Sequence, residues 1–411
     1  MAVFAGVDVA LGPRAGQKVL SLRTVAGRDE KTTAALCADA LDDGISIGFA
    51  AINGGKHSLA MDLKHPRCRE WLCQLIASAD VFIENFRPGA TARLGFDYAA
   101  VCALKPGIIY ASISGFGQEG AWGRRAAYDH VVQAAVGMTM MQGVEGEDPQ
   151  KVGFPVIDTA TGMIAAQAIL AALIRRLRFS EGACLDISMA QAALQLMWPD
   201  AARATVTGLD APRIGNRGFS GSPGGSTFRC ADGWVSTAAN TARQFRIFCE
   251  VIGVAHVLND PALLDVAALR AGASFVSATD APRLQAILAE AVARIGAADL
   301  EARLTAQGVP CAQLVTLAQF LKRAMAGGML TLPQRHTVYP NGTLTDFGSG
   351  YRAAGDTGNT GNAGDAGTNA AVDAPRAPRL GEHTAHILTK LGAARAELDT
   401  LAAAGALRLA S

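Results

Sequence analysis

Residues 58–84 read SLAMDLKHPRCREWLCQLIASADVFIE, and this stretch decides the fold class. Its apolar runs at 58–63 and 81–84 predict two short buried strands. Between them, residues 65–78 carry large apolar side chains at spacings of 3 and 4, which predicts a helix with one buried face. A strand, a helix and a second strand in this order are typical of a unit with parallel strands.

The same alternation continues on both sides of this unit. Residues 18–25 (KVLSLRTV) and 108–112 (IIYAS) predict further strands. Residues 160–177 predict a long buried helix, followed by a strand at 184–188 and a helix at 189–197. We therefore predict an α/β fold whose large domain is a Rossmann-like, doubly wound parallel sheet with helices on both faces.

A change in composition marks the boundary of this large domain. Residues 215–225 read GNRGFSGSPGG, and so many glycine, serine and proline residues predict a long loop. We expect a large domain over 1–215, shortened near 28–52, and a small α+β domain over 216–325. Residues 326–411 then return to the large domain. Within them, residues 352–374 are small and polar, which predicts a flexible surface insertion.

Composition and charge exclude several classes of protein. The chain has 411 residues, of which 50% are hydrophobic, and its 37 basic residues nearly balance 36 acidic ones. A net charge of +1 provides no global basic field for nucleic acid or an anionic membrane. No run reaches the roughly 18 consecutive apolar residues of a membrane span, and no secretion signal is evident, so we expect a cytoplasmic protein. The eight cysteines form no CxxC pair, which predicts reduced thiols and no metal site.

Four short motifs stand out along the chain. They are NGGKHS at 53–58, ENFRPG at 84–89, SISGFG at 112–117, and AYD at 127–129 ahead of Asp158. Gly-rich turns at the carboxyl ends of sheet strands let backbone amides approach an anion, so a nucleotide-like ligand is expected at this edge. A near-neutral protein needs a few placed cations for such a ligand. The candidates are Lys56, Arg87, Arg93 and Arg125, although surface cations are more often only solvated.

Asp158 is the candidate nucleophile. It opens a helix that is otherwise apolar, where the helix dipole and free amides favour an ionised carboxylate. On the residues alone, an ordinary N-cap is the commoner role for an aspartate at this position.

Taken in order with PRLGEHT at 378–384, these motifs resemble the class III CoA-transferase family, whose relatives include formyl-CoA transferase, carnitine CoA-transferase and α-methylacyl-CoA racemase. The resemblance extends over about 50–250 and, more loosely, over 300–411. It implies transfer of coenzyme A from an acyl-CoA donor to a small carboxylic acid. It also implies no permanently bound cofactor and an interlocked homodimer. By the same resemblance, Asp158 forms an aspartyl anhydride and then an aspartyl-CoA thioester.

The resemblance assigns further site residues. Asn85, Phe86 and Arg93 match CoA contacts of the family, and Arg125 matches one approximately. We place Lys56, Arg87 and Tyr128 with them as CoA-binding residues. Gly224 and Gly225 lie where formyl-CoA transferase has a mobile glycine loop, whose amides are expected to stabilise an oxyanion. Serine and proline interrupt this loop here, so a plain interdomain loop stays open as an alternative.

Tyr128 separates the two main branches of the family. Racemases have a histidine at this position, paired with an aspartate as acid and base on the α-carbon. Here the dipeptide is Tyr128-Asp129, and His130 lies two positions on, about 200° around a helix. This favours a transferase over the alternative of an acyl-CoA racemase.

The N-terminal region leaves another alternative open. Only about 25 residues separate Arg28 from Asn53, so one strand of the family pattern is missing. The chain could therefore be a non-catalytic partner subunit in a hetero-oligomer with an intact homologue. A nicotinamide-dependent dehydrogenase is disfavoured, because residues 19–27 lack the GxGxxG turn. The identities of the donor and acceptor acids are not readable from the sequence.

Overall fold

The computed structural model describes residues 3–11, 18–26, 40–42, 45–326, 334–347, 372–373 and 375–409. Within these ranges the strands are β1 (Val3–Leu11), β2 (Lys18–Ala26), β3 (Ala40–Asp42), β4 (Ile45–Ser46), β5 (His57–Met61), β6 (Val81–Glu84), β7 (Ile109–Ser114), β8 (Ala183–Ser188), β9 (Gly224–Arg229), β10 (Trp234–Ala239), β11 (Cys311–Gln313), β12 (Arg335–Tyr339), β13 (Gly342–Asp346), β14 (Val372–Asp373) and β15 (Leu407–Arg408).

The helices of the same ranges alternate with these strands in the first half of the chain. They are α1 (Ile47–Asn53), α2 (Pro66–Ser78), α3 (Ala90–Leu94), α4 (Tyr98–Leu104), α5 (Asp129–Ala135), α6 (Val156–Phe179), α7 (Met189–Leu196), α8 (Trp198–Thr207), α9 (Ala242–Val251), α10 (Val266–Arg270), α11 (Ala281–Val292), α12 (Ala297–Ala306), α13 (Leu317–Met325), α14 (Thr384–Lys390) and α15 (Arg395–Ala403).

The main sheet has the strand order β15-β5-β1-β2-β6-β7-β8. Strands β2, β6, β7 and β8 pair in parallel, which confirms a parallel sheet in this half. The prediction of a sheet that is parallel throughout is wrong, because β1 runs antiparallel to both β2 and β5, and β15 runs antiparallel to β5. Only residues 12–17 connect β1 to β2, whereas a parallel neighbour needs a connection of about a dozen residues or more.

Side chains alternate between the two faces of this sheet, and helices cover both. Phe82 and Tyr110 stack with ring centroids 5.1 Å apart and belong to a core that includes Trp71 of α2. On the other face, Val81 and Ile109 pack against helix α6. Successive residues of a strand point to opposite faces of the sheet. Strands β6 and β7, which have four and six residues, carry apolar side chains on both faces, so each strand is buried on both sides.

Helix α6 is longer and more exposed than predicted. It packs on the sheet through Ala172 and Leu173, yet Met163, Leu170 and Leu177 are 62%, 60% and 76% exposed. The prediction of a fully buried helix is therefore wrong, because only one face of α6 packs on the sheet and these residues lie on another face. Among the described residues, α6 is also the one helix that is long and apolar enough to cross a membrane by length and composition. Core helices of other proteins meet the same criterion, so this supports a membrane span only weakly.

The chain divides into two compact units. One combines Met1–Val136, Gly153–Ala201 and Thr331–Ser411, and contains the main sheet. The other combines Gly137–Val152 and Ala202–Leu330. Its three-stranded antiparallel sheet, in the order β11-β10-β9, shares a separate core with helices α9, α11 and α12.

The C-terminal segment joins the first unit beside β5. The Ser58 hydroxyl accepts a hydrogen bond from the Gly381 amide at 3.0 Å, and the Ser58 amide donates to His383 Nδ1 at 3.2 Å. Strand β15 then pairs with β5. The insertion predicted at 352–374 lies outside the described residues except for β14, which pairs in parallel with β12.

Candidate active site

Asp158 occupies the first turn of helix α6, but it does not cap the helix. The N-cap residue is Pro155, which offers no side-chain acceptor, and Asp158 is the third helical residue. The alternative of an ordinary N-cap aspartate is therefore wrong. Because proline has no side-chain acceptor, the first backbone amides of the helix need hydrogen-bond acceptors from another part of the chain.

Asp129 of helix α5 satisfies these amides. Its Oδ2 accepts hydrogen bonds from the amides of Ile157 at 2.8 Å and Asp158 at 3.0 Å, and its Oδ1 accepts one from Gln133 Nε2 at 2.5 Å. Asp129 is only 9% exposed, so a buried carboxylate fixes the helix end that carries Asp158. The sequence interpretation missed this role because the cap lies 28 residues away from the helix that it caps.

The Asp158 carboxylate itself is left free of such contacts. Among the described residues it has no hydrogen-bond or ion-pair partner, and the residue as a whole is exposed. Partial burial of the carboxylate, and then the negative charge of Asp129, raise its pKa above the usual aspartate value. A carboxylate that is unpaired, and more basic than an ordinary aspartate, is suited to act as a nucleophile or a base.

Hydrogen bonds fix the turns that follow β6 and β7. Asn85 Nδ2 donates to the Ile113 carbonyl at 2.8 Å, which ties the first turn to the neighbouring strand. In the second turn, the Gly117 amide donates to the Ser114 hydroxyl at 3.0 Å. Gly117 has a φ of +91°, a conformation that favours glycine. The turns at 84–89 and 112–117 therefore lie at the carboxyl edge of the sheet, as predicted. The same prediction is wrong for NGGKHS at 53–58, because this motif precedes β5, which runs in the same direction as β6 and β7.

A polar network around the buried residues Glu84 and Ser112 supports this edge, and the sequence interpretation missed it. The Ser112 hydroxyl donates a short hydrogen bond to Glu84, which also accepts the Phe86 amide at 2.8 Å. The side-chain amide of Gln118 donates to the Ser112 hydroxyl, and the backbone amide of Gln118 donates to Asp186 on β8 at 2.9 Å. Burial, and then the charge of Asp186, raise the pKa of Glu84. Glu84, Ser112 and Asp186 lie opposite one another on the adjacent strands β6, β7 and β8. This alignment becomes visible only when the order of the strands in the sheet is known.

Two of the predicted CoA-binding residues line one cavity. The cavity has a volume of about 540 Å³, and it contains Phe86 and Arg93. Its other described lining residues are Leu63, Lys64, Arg69, Ala90 and Leu94. A volume of this size suits a nucleotide-sized group, because ligand pockets typically measure about 300–1,000 Å³.

The other predicted CoA-binding residues do not line this cavity. Lys56 Nζ donates to Asn53 Oδ1 at 2.9 Å, and Arg87 and Asn85 are exposed. The Arg125 guanidinium lies 3.9 Å from the ring centre of Trp122. Tyr128, at the N-cap of α5, is 74% exposed.

Gly224 and Gly225 begin strand β9 in the second unit. A Cβ on Gly224 would come 2.7 Å from the Ala239 carbonyl oxygen, and one on Gly225 would come 2.6 Å from Asn240 Oδ1. The Gly225 amide donates to the Ser222 carbonyl at 2.9 Å. Close packing therefore accounts for glycine at both positions, and their role as oxyanion donors stays a prediction.

Comparisons with known proteins agree with the motifs. The sequence profile of CoA-transferase family III matches residues 21–384. The chain is 32% identical over 215 residues to mouse succinyl-CoA:glutarate CoA-transferase, covering 52% of this chain and 49% of the relative. It is 34% identical over 221 residues to acetyl-CoA:oxalate CoA-transferase of Acetobacter aceti, covering 54% of this chain and 57% of that one. The chain thus aligns with about half the length of the curated relatives it matches.

A solved structure is similar over a larger share of the chain. It is the crystal structure of a CAIB/BAIF family protein from Brucella suis, with a TM-score of 0.68 and 27% identity over 84% of each chain. This similarity covers most of the mixed α/β fold. Together with the profile match over residues 21–384, it identifies the family. The chain belongs to CoA-transferase family III.

Proposed function

We propose that the chain is an acyl-CoA:carboxylate CoA-transferase with Asp158 as its nucleophile. The observation that carries the proposal is the environment of Asp158. Its carboxylate has no partner among the described residues, its pKa is raised, and Asp129 fixes the helix end beneath it. The family and the transferase names of the relatives support this reaction.

The proposed reaction proceeds in four balanced steps. An oxygen of the Asp158 carboxylate attacks the donor thioester carbonyl, and the C–S bond breaks to give a mixed anhydride and the CoA thiolate. The thiolate then attacks the aspartyl carbonyl, which gives an aspartyl-CoA thioester and the free donor acid. The acceptor carboxylate attacks this thioester, and the C–S bond breaks to give a second mixed anhydride, between Asp158 and the acceptor, and the free CoA thiolate. In the last step the thiolate attacks the acceptor carbonyl, which gives the new acyl-CoA and restores the carboxylate.

The surrounding residues have distinct roles in this proposal. Phe86 and Arg93 bind the nucleotide end of CoA in the cavity of about 540 Å³, and Asn85 holds the turn that carries Phe86. Lys56, Arg87, Arg125 and Tyr128 are proposed as further contacts along the same ligand. The amides of Gly224 and Gly225 are proposed to stabilise the oxyanion, which requires the hydrogen bond from Gly225 to Ser222 to open.

The assembly and the domain arrangement are proposed with the function. A homodimer, interlocked as the family resemblance implies, would cover the exposed apolar side chains of α6, such as Met163 and Leu177. The large domain is proposed to combine a Rossmann-like segment over 1–215 with the return segment from 326, and residues 216–325 are proposed to form a separate small domain. A cytoplasmic location is part of the same proposal.

An exchange assay tests the function directly. The purified full chain is incubated with succinyl-, acetyl- or formyl-CoA and either glutarate or oxalate, and new acyl-CoA species are measured by liquid chromatography with mass detection. We expect at least one donor and acceptor pair to give an acceptor-CoA product that requires both substrates. Failure of every pair would exclude these acids as the donor and acceptor. Scrambling of α-carbon configuration without exchange would indicate a racemase, and activity only with a homologous subunit would indicate a partner subunit.

A further inference from the structure

The cavity beside Phe86 brings together three cationic side chains from separate elements. Lys64 follows β5, Arg69 lies on α2, and Arg93 lies on α3. In the part of the chain that the structure describes, none of the three forms an ion pair. Three cations that surround one cavity without a counterion repel one another, so an anion bound between them is favoured.

Arg69 is held at this position before any ligand binds. Its guanidinium carbon lies 5.2 Å from the ring centre of Phe96, which is buried. Gly95 has a φ of +74°, and a Cβ at that position would come 2.7 Å from Arg69 Nη2. The absence of a side chain at Gly95 therefore makes the space that the guanidinium occupies. An ordered guanidinium presents two parallel donors to a phosphate without a large loss of side-chain entropy.

The rest of the cavity lining is apolar. Leu63, Phe86, Ala90 and Leu94 provide an aromatic ring and aliphatic groups beside the three cations. An aromatic ring and aliphatic side chains suit a planar base, while guanidinium and ammonium groups suit phosphates. The combination fits an adenosine that carries a phosphate close to its base.

We propose that Arg69, assisted by Lys64, binds the 3′-phosphate of coenzyme A and makes the site selective for CoA over dephospho-CoA. The inference rests on the proposed function, because it takes CoA as the ligand. A 3′-phosphate is a terminal monoester with about two negative charges near pH 7, whereas each phosphate of the 5′-diphosphate carries about one. The terminal dianion is therefore the better partner for a cluster of unpaired cations.

The test compares CoA with dephospho-CoA by isothermal titration calorimetry on the full chain. Arg69→Gln removes the guanidinium, and Lys64→Gln removes an exposed ammonium from the same cavity. The control is Arg67→Gln on the same helix, since Arg67 pairs with Glu70 and Glu397 outside the cavity. Thermal unfolding of each variant establishes that it is folded.

We expect the wild-type chain and Arg67→Gln to bind CoA about tenfold more tightly than dephospho-CoA, and Arg69→Gln to bring this ratio close to one. Lys64→Gln is expected to reduce the ratio about threefold, which keeps the test informative if Arg69→Gln does not fold. Equal binding of both ligands by the wild-type chain would overturn the inference about Arg69 while leaving the transferase proposal intact. Failure to bind either ligand would overturn both.

Discussion

Replacing Asp158 with asparagine is expected to reduce the rate of CoA transfer at least about a thousandfold. Asparagine has nearly the shape of aspartate, but its amide cannot attack a thioester to form an anhydride. The Asp158 carboxylate contacts no described partner, so the substitution breaks no hydrogen bond and the thermal unfolding midpoint is expected to stay within about 2 °C. Steady-state rates with the productive substrate pair, measured beside the unfolding curves, check both expectations.

A matched control separates a catalytic effect from a change of charge at a helix. Asp200 is also an acidic residue in the first turn of a helix, α8. Asp200→Asn is expected to retain the wild-type rate within about twofold, since the proposal gives Asp200 no part in the reaction. An Asp158→Asn enzyme that keeps more than about a tenth of the wild-type rate would show that another group attacks the thioester.

Substitutions of Asp129 are expected to give the second large effect. Asp129→Ala removes the acceptor for the Ile157 and Asp158 amides, which should lower the free energy of unfolding by about 2 kcal/mol. The same change frees the end of α6, and a displacement of about 1 Å at the nucleophile is expected to reduce kcat about a hundredfold. Chemical denaturation and steady-state kinetics measure the two consequences separately.

Asp129→Asn tests the electrostatic part of the same contact. The asparagine oxygen can still accept hydrogen bonds from the helix, but the negative charge that helps raise the pKa of Asp158 is gone. Asp158 attacks only when ionised, so the rate falls as the pH drops through its pKa. In a plot of transfer rate against pH, the wild-type rate is therefore expected to begin falling at a pH above the usual aspartate pKa. Asp129→Asn is expected to move this fall to lower pH.

Another capped helix provides the control for Asp129. Asp280 caps α11 by accepting a hydrogen bond from the Arg283 amide, and it belongs to the second unit. Asp280→Ala is expected to lower stability by about 1 kcal/mol and to leave the pH profile of transfer unchanged. A fall in rate at an unchanged pH in Asp129→Asn would contradict the assigned influence of Asp129 on Asp158.

Much of the first unit could be predicted from local patterns. The helix from Pro66 to Ser78 and the strand from Val81 to Glu84 match their predicted bounds within one residue, because a single apolar period defines each. Strand β1 was missed because Asp8 and two short side chains, Ala5 and Gly6, interrupt its apolar residues. Its position between β2 and β5 depends on pairing across the sheet, which a local pattern does not contain.

The candidate site could be predicted only in part. Asp158 stood out through its motif and its place at the start of an apolar helix. The cap from Asp129 and the network around Glu84 could not be predicted, because both depend on contacts between segments about 28 residues apart. Arg69 was missed for a similar reason: a lone arginine on a helix resembles any solvated surface charge until the fold places it in the cavity.

The covalent intermediate tests the central claim most directly. The wild-type chain and Asp158→Ala are incubated with the productive acyl-CoA donor, quenched in acid within seconds, and measured by intact mass spectrometry followed by peptide mapping. We expect the wild-type chain to gain the mass of an acyl anhydride or a CoA thioester on the peptide containing Asp158, and Asp158→Ala to gain neither. An adduct that persists in Asp158→Ala, or full turnover by that variant, would contradict the assignment of Asp158 as the nucleophile.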